Sequence, residues 1–245
     1  MVRTRVEGGT AVLTLDSPSN RNALSRRLVA QLLEGLATAE DDTAVKVVVI
    51  GAAGGTFCAG ADLAEARTDG MAAAARTLVD LQRRIVALSK PVVARVHGNV
   101  RAGGIGVVAA CDIAVSADDA TYAFTEVRLG LAPAAISLTV LPRLTDRAAA
   151  DAFLTGRTFD GTTAARMGLV TRAVPEEDLD AAVAQTCAAL TEGSSQGLRE
   201  TKRLLNRGLL HRIDERGSEL AQLSATLFGS PEARAAMLAF LDRSR

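Results

Sequence analysis

The run "VKVVVIGAAGG" (residues 45–55) limits the folds open to this chain more than any other segment. Val47 to Ile50 are all β-branched, with no polar residue between them. A strand with one face in water alternates apolar and polar residues. This one does not, which predicts a strand buried on both faces in a parallel sheet flanked by helices. The glycines that end the run predict a loop, "GAAGGTFCAGADL", in which Ala59-Gly60-Ala61-Asp62 leads from a strand end into a helix.

The remaining patterning fits an α/β core followed by a helical tail. "TRVEGGTAVLTLD" reads as two strands joined at Gly8-Gly9 in a hairpin, and "SPSNRNALS" as a turn. Leu28, Leu32, Leu33 and Leu36 recur at helical spacing, as do Leu78, Leu81, Ile85 and Leu88 before Pro91. "PVVARV", "CDIAVSA" and "TYAF" are short strands. From about Thr145 the pattern is helical, with Gly156, Gly168 and Pro175 as breakers. No short-period repeat is evident. Residues 1–190 are read as the α/β core and 191–245 as a C-terminal helical region.

The 28 basic and 28 acidic residues cancel, which gives no electrostatic ground for nucleic acid or an anionic membrane as partner. No apolar run approaches the roughly 18 residues of a membrane span, and the N-terminus lacks the apolar stretch of a secretory signal. Cys58, Cys111 and Cys187 are odd in number and widely spaced, the pattern of free thiols in a reducing cytosol. A cytoplasmic location is the expectation. His97 and His211 are too far apart in sequence to suggest a histidine metal site or a Ser/His/Asp triad.

"GNVRAGGIGVVAACD" (98–112) places Gly104, Gly106 and Ala109 in the G-x-G-x-x-A order of a dinucleotide-binding turn. That fingerprint requires a strand running straight into the first glycine and a long crossover helix after it. Here "HGNVRA" separates Val96 from Gly103, and the helix has room for about two turns before "CDIAV" becomes extended. An NAD(P)-dependent oxidoreductase is therefore disfavoured. The same residues suit an oxyanion: glycines let peptide N–H groups approach a ligand, and a helix N-terminus adds about half a positive charge. Together with the Ala59–Asp62 loop, two peptide N–H groups could hold one carbonyl oxygen.

In order and spacing, "TFCAGADLAE", "KPVVARVHGNVRAGGIGVVAACDIAVSADDATYAFTEVRLGLAP" and "LPRLTDRAAADAFLTGRTFDGTTAARMGLVTRAVP" resemble the crotonase (enoyl-CoA hydratase/isomerase) superfamily. The likeness runs from the first hairpin to "AMLAFLDRSR". It implies an α/β fold, a crotonase-like spiral of ββα units with a C-terminal helical trimerisation region. It also implies trimers or dimers of trimers, an acyl-CoA thioester substrate, an enolate, and no cofactor beyond the CoA of the substrate. The resemblance assigns the N–H groups of Ala61 and Gly103 to an oxyanion hole. It places Ala59, Gly60 and Asp62 beside the CoA adenine, Arg21 near the CoA phosphates, and Phe240 and Arg243 at the nucleotide end. Simpler roles stand beside these: surface arginines for Arg21 and Arg243, a helix N-cap for Asp62, and packing for Cys58 and His97.

The resemblance puts the acid/base on Glu126, in "AFTEVRLG", where Phe124 and Leu129 would half bury it and raise its pKa. The alternative is a surface glutamate paired with Arg128. Standard hydratases carry another glutamate three residues after the oxyanion glycine, and that position here is Gly106. One carboxylate is sufficient for Δ3-to-Δ2 enoyl-CoA isomerisation. Hydration would need a second group, for which Glu65 and Asp69, near "ARTDGMAAAAR", are the acids at hand. Hydratase-like members resembling "VRLGLAPAAIS" also carry glycine there, so hydration stays open. Ala134 and Ala135 supply no acid where dienoyl isomerases carry an aspartate, which disfavours that activity. A catalytically weak acyl-CoA-binding or assembly subunit is the alternative from another functional class.

Overall fold

The fold is seen in a computed structural model, in which residues 1–62, 65 and 71–243 are described. β1 (Val2–Glu7) and β2 (Thr10–Leu15) form the expected antiparallel hairpin. Gly8 and Gly9 both take positive φ (54° and 77°), the backbone of a tight hairpin turn that disfavours side chains. Next come β3 (Val47–Ala52), β5 (Val92–Val96), β7 (Ile113–Ala117) and β10 (Arg172–Val174). These extend β2 in parallel to a six-stranded sheet of order β1-β2-β3-β5-β7-β10. Val47, Val48 and Ile50 are fully buried and Val49 nearly so, as a strand covered on both faces must be.

A second sheet, of order β4-β6-β8-β9, contains β4 (Thr56–Cys58), β6 (Asn99–Arg101), β8 (Thr121–Ala123) and β9 (Phe159–Asp160). Successive strands alternate between the sheets: β3 then β4, β5 then β6, β7 then β8. Helix α2 (Met71–Ala87) lies between β4 and β5, and α3 (Gly103–Ala110) between β6 and β7. This is a spiral of ββα units. The sequence hides it because β4, β6 and β8 have three residues each, too few to show a period. The six residues read as a linker before Gly103 in fact contain β6.

Helix α1 (Arg26–Asp41) is capped by Ser25, whose Oγ accepts from the Leu28 N–H, and it buries Leu28, Leu32 and Leu36 against the sheet. α4 (Ala134–Val140) begins ahead of the expected helical region, in "APAAISLTVL", a stretch too uniformly apolar to show helical periodicity. α5 (Asp146–Thr155) and α6 (Gly161–Met167) end at Gly156 and Gly168, both left-handed, as C-terminal glycine caps are. α7 (Leu179–Thr191), α8 (Ser195–Phe228) and α9 (Pro231–Arg243) complete the tail. Among the described residues no helix is long and apolar enough to cross a membrane.

α8 packs along α2 and α4. Gly217 permits the close approach, since a Cβ there would lie 2.9 Å from Val79 Cγ1. Farther along, Lys202 Nζ is 2.8 Å from Asp112 Oδ2 and donates to the Ile85 and Lys90 carbonyls, with Lys202 5% and Asp112 15% exposed. Asn206 Nδ2 and the Val92 N–H also donate to Asp112. Lys202→Met is expected to cost about 3–5 kcal/mol in urea unfolding, because it leaves a buried carboxylate without its cation. Adding Asp112→Asn should recover part of that loss.

Candidate active site

β4 and β6 are parallel neighbours, so the loops at their C-terminal ends emerge side by side. The first loop is tied to the turn before α1: the Ala59 N–H donates to Arg21 O and the Leu24 N–H to Gly60 O. Asn22, fully buried, anchors that turn: its Nδ2 donates to the Ala53 and Thr56 carbonyls and its Oδ1 accepts from the Ser17 N–H. Sequence reading recognised the turn but not this residue, whose signal is an Asn suited to left-handed φ, here 53°.

The second loop is a single sharp turn. Ala102 takes φ 45° and ψ −117°, a conformation that costs an L-residue on the order of 1–3 kcal/mol. It turns β6 directly into α3, whose first residue, Gly103, has no acceptor for its N–H within the helix. A Cβ at Gly60 would lie 3.0 Å from Ala102 Cβ and 3.1 Å from Arg101 O, and a Cβ at Gly103 would lie 3.8 Å from Ala61 N. Among the described residues, neither the Ala61 nor the Gly103 N–H has an acceptor. Both residues line one cavity of about 190 Å³, walled mainly by apolar side chains such as Leu24, Leu78, Leu131 and Ile136.

Glu126 lines the same cavity. It sits in the 3-10 turn Thr125–Leu129 directly after β8, and Phe124, packed on Phe153 and Phe159, anchors the base of that turn. Oε2 of Glu126 is shielded from solvent and has no hydrogen-bond partner among the described residues. Burial pushes the carboxyl up to about 7, against a small lowering by its own backbone N–H. Arg128 lies with Nη2 3.5 Å from Thr155 O, and no ion pair with Glu126 is formed among the described residues.

Position 106 is closed. Gly106 is buried in α3, and a Cβ there would meet Ile136 Cγ2 at 2.7 Å, Ile136 Cβ at 3.1 Å and Gln82 Oε1 at 3.1 Å. The space beside Gly106 is thus occupied by Ile136 and Gln82. Besides Glu126, the acids that line the cavity among the described residues are Asp62 and Glu65. Glu65 accepts from the Arg26 N–H at 2.8 Å, and Asp62 accepts from the Glu65 N–H at 3.2 Å and from Asn20 Nδ2 at 3.4 Å. Asp69 lies outside the described residues.

Cys58 packs beneath α3, 2.7 Å from where a Cβ on Gly104 would sit, and burial pushes its thiol up to about 12. His97 is engaged by Gly54 O and Arg95 away from the cavity. Arg21 is exposed, on the turn whose carbonyl holds Ala59. Phe240 and Arg243 fall in α9, with their side chains outside the described residues. Ala134 and Ala135 form the first turn of α4 on the cavity wall. Ser224 and Phe228 of α8 also reach the wall, and Ser224 Oγ accepts from the Ala135 N–H. Nothing in the α8 pattern marks these two residues in advance.

A ββα spiral with a C-terminal helical region, in which Ala61, Gly103 and Glu126 line one apolar cavity, defines the class: a mixed α/β fold with two largely parallel sheets. The enoyl-CoA hydratase/isomerase family model matches residues 5–245, and the chain belongs to that family, within the crotonase superfamily. An enoyl-CoA hydratase structure from Mycobacterium avium superposes with a TM-score of 0.93 at 49% identity, covering 99% of this chain and 96% of that one. A mevalonyl-coenzyme A hydratase of Aspergillus fumigatus is 33% identical over 96% of this chain and 89% of its own length. A hydroxycinnamoyl-CoA hydratase-lyase of Pseudomonas fluorescens is 32% identical over 82% of this chain and 76% of its own length. Family membership implies an acyl-CoA substrate.

Proposed function

We propose that this chain is an acyl-CoA enzyme in which Glu126 acts alone as acid and base while the Ala61 and Gly103 N–H groups hold the thioester oxygen. The observation that carries the reading is that Glu126, whose shielded Oε2 has no hydrogen-bond partner among the described residues, lines the same cavity as Ala61 and Gly103. The reaction a single carboxylate completes is Δ3-to-Δ2 enoyl-CoA isomerisation. Glu126 removes a proton from C2, and the electron pair moves into the thioester carbonyl. The resulting dienolate oxygen lies between the two N–H groups, each worth roughly 2.7–4 kcal/mol in comparable sites. The dienolate then takes the proton back from Glu126 at C4, which regenerates the carboxylate. A carboxyl near 7 is matched to both halves of this cycle at neutral pH.

Hydration of 2-enoyl-CoA is the second reading, supported by the hydratase relatives and by Asp62 and Glu65 on the cavity wall. The family resemblance further supports CoA contacts by Arg21, Ala59, Gly60, Asp62, Phe240 and Arg243. It also supports assembly into trimers or dimers of trimers, and no cofactor besides the CoA of the substrate.

Parallel assays with a 3-enoyl-CoA and with crotonyl-CoA test the proposal. Isomerisation without hydration is expected, and hydration alone would replace the first reading with the second. Acyl-CoA binding by calorimetry with no turnover of either would leave a binding subunit and end the mechanism. NAD(P) is expected to leave the Tm unchanged. Since the base must be ionised in the free enzyme, kcat/KM for isomerisation should rise with pH and level off above about 7. A flat profile from pH 5 to 9 would remove Glu126 from the base role.

A further inference from the structure

Gln82, on α2, is fully buried, and nothing in the chemistry above uses it. Its Nε2 donates to Leu78 O at 3.2 Å in its own helix and to Ala135 O at 3.3 Å in the first turn of α4. Its Oε1 accepts the Thr139 hydroxyl at 2.6 Å. Thr139 Oγ1 also lies 3.2 Å from Gly106 O and 3.4 Å from Ile136 O. The amide joins α2 to α4, and the Thr139 hydroxyl, whose one proton goes to Gln82 Oε1, packs against the Gly106 carbonyl of α3; these helices bring Leu78, Gly103, Ala135 and Ile136 to the cavity.

An apolar side chain would fill this volume without the cost of desolvating an amide, so packing alone does not account for Gln82. Its value lies in direction: it donates to two carbonyls while accepting from a hydroxyl, which neither a carboxylate nor a methionine can do. Fully satisfied buried networks of this kind fix a single geometry. Building on the oxyanion reading of the site, we infer that Gln82 and Thr139 are positioning residues. They hold the start of α3, and with it the Gly103 N–H, at the spacing from Ala61 and α4 that a thioester oxygen requires. Gln82 Oε1 stands 3.1 Å from where a Cβ on residue 106 would be, so the room for a second acid is used for rigidity.

The test is infrared difference spectroscopy with carbonyl-13C butyryl-CoA, a saturated thioester that does not turn over. Bound to the wild-type protein, its C=O stretch is expected at lower frequency than in solution. Thr139→Val and Gln82→Met should each lose at least about half of that shift and about tenfold in kcat, with KM within about twofold. Thr139→Ser should restore both. Thr139→Val is nearly isosteric and supplies the measurement if Gln82→Met does not fold. A full shift with wild-type kcat in the folded variants would overturn the positioning role and leave the oxyanion hole standing. No shift in the wild-type protein would instead remove the oxyanion hole, and the positioning role with it.

Discussion

Glu126→Gln is expected to lower kcat by about 10²–10⁴ while leaving acyl-CoA affinity within a few-fold, because the amide fills the same space but cannot move a proton. The same substitution should change how stability depends on pH. Burial holds the Glu126 carboxyl at about 7 in the folded chain, above its ordinary 4.5. Between those values the folded state binds the proton more tightly than the unfolded state, so wild-type stability falls as pH rises through that window. Above about 7 the full penalty is present. Glutamine carries no such penalty. Glu126→Gln should therefore gain about 3 kcal/mol relative to wild type between pH 4.5 and 8. Urea unfolding of both proteins at the two pH values measures this difference. Loss of activity without that pH-dependent gain would mean that Glu126 matters for some reason other than its buried charge.

Gly106→Glu should destabilise the chain by more than about 4 kcal/mol and bring no hydratase activity. The helix preference of Glu over Gly returns less than about 1 kcal/mol. Against it stand overpacking on Ile136, whose Cγ2 lies 2.7 Å from the new Cβ, and a carboxylate pressed toward the acceptor Gln82 Oε1. Removing the obstructing methyls should make the two changes non-additive. Gly106→Glu with Ile136→Ala is expected to be at least about 1 kcal/mol more stable than the sum of the single effects. Strict additivity in urea unfolding would show that Ile136 is not what closes position 106.

Much of the architecture could be read from local pattern. Four β-branched residues in a row mark β3 as buried on both faces, and two glycines mark the first hairpin. The elements that escaped are those whose pattern is too short or too uniform. β6 has three residues and looked like loop, and α4 is apolar almost throughout. The ββα spiral was expected from the family resemblance alone, since three-residue strands leave no repeat to find.

For the site, local chemistry pointed to both glycine loops, and family resemblance to Glu126. Neither showed that Asn22 would pin the first loop, that Ala102 would bear the strain of the second, or that Ser224 and Phe228 would reach in from α8. Each of these roles depends on partners distant in sequence.

By itself the sequence determined that a buried parallel strand must exist, that backbone N–H groups would be presented from glycine-rich turns, and that residue 106 carries no acid. Those are properties of single residues and their near neighbours. Only the tertiary structure decided that Ala61, Gly103 and Glu126, far apart along the chain, line one cavity. Only it showed that the glycine at 106 leaves no vacancy, because Ile136 from α4 and Gln82 from α2 fill the space beside it. The physical reason is close packing: whether an absent side chain leaves a hole or a wall is settled by helices that meet from far apart along the chain.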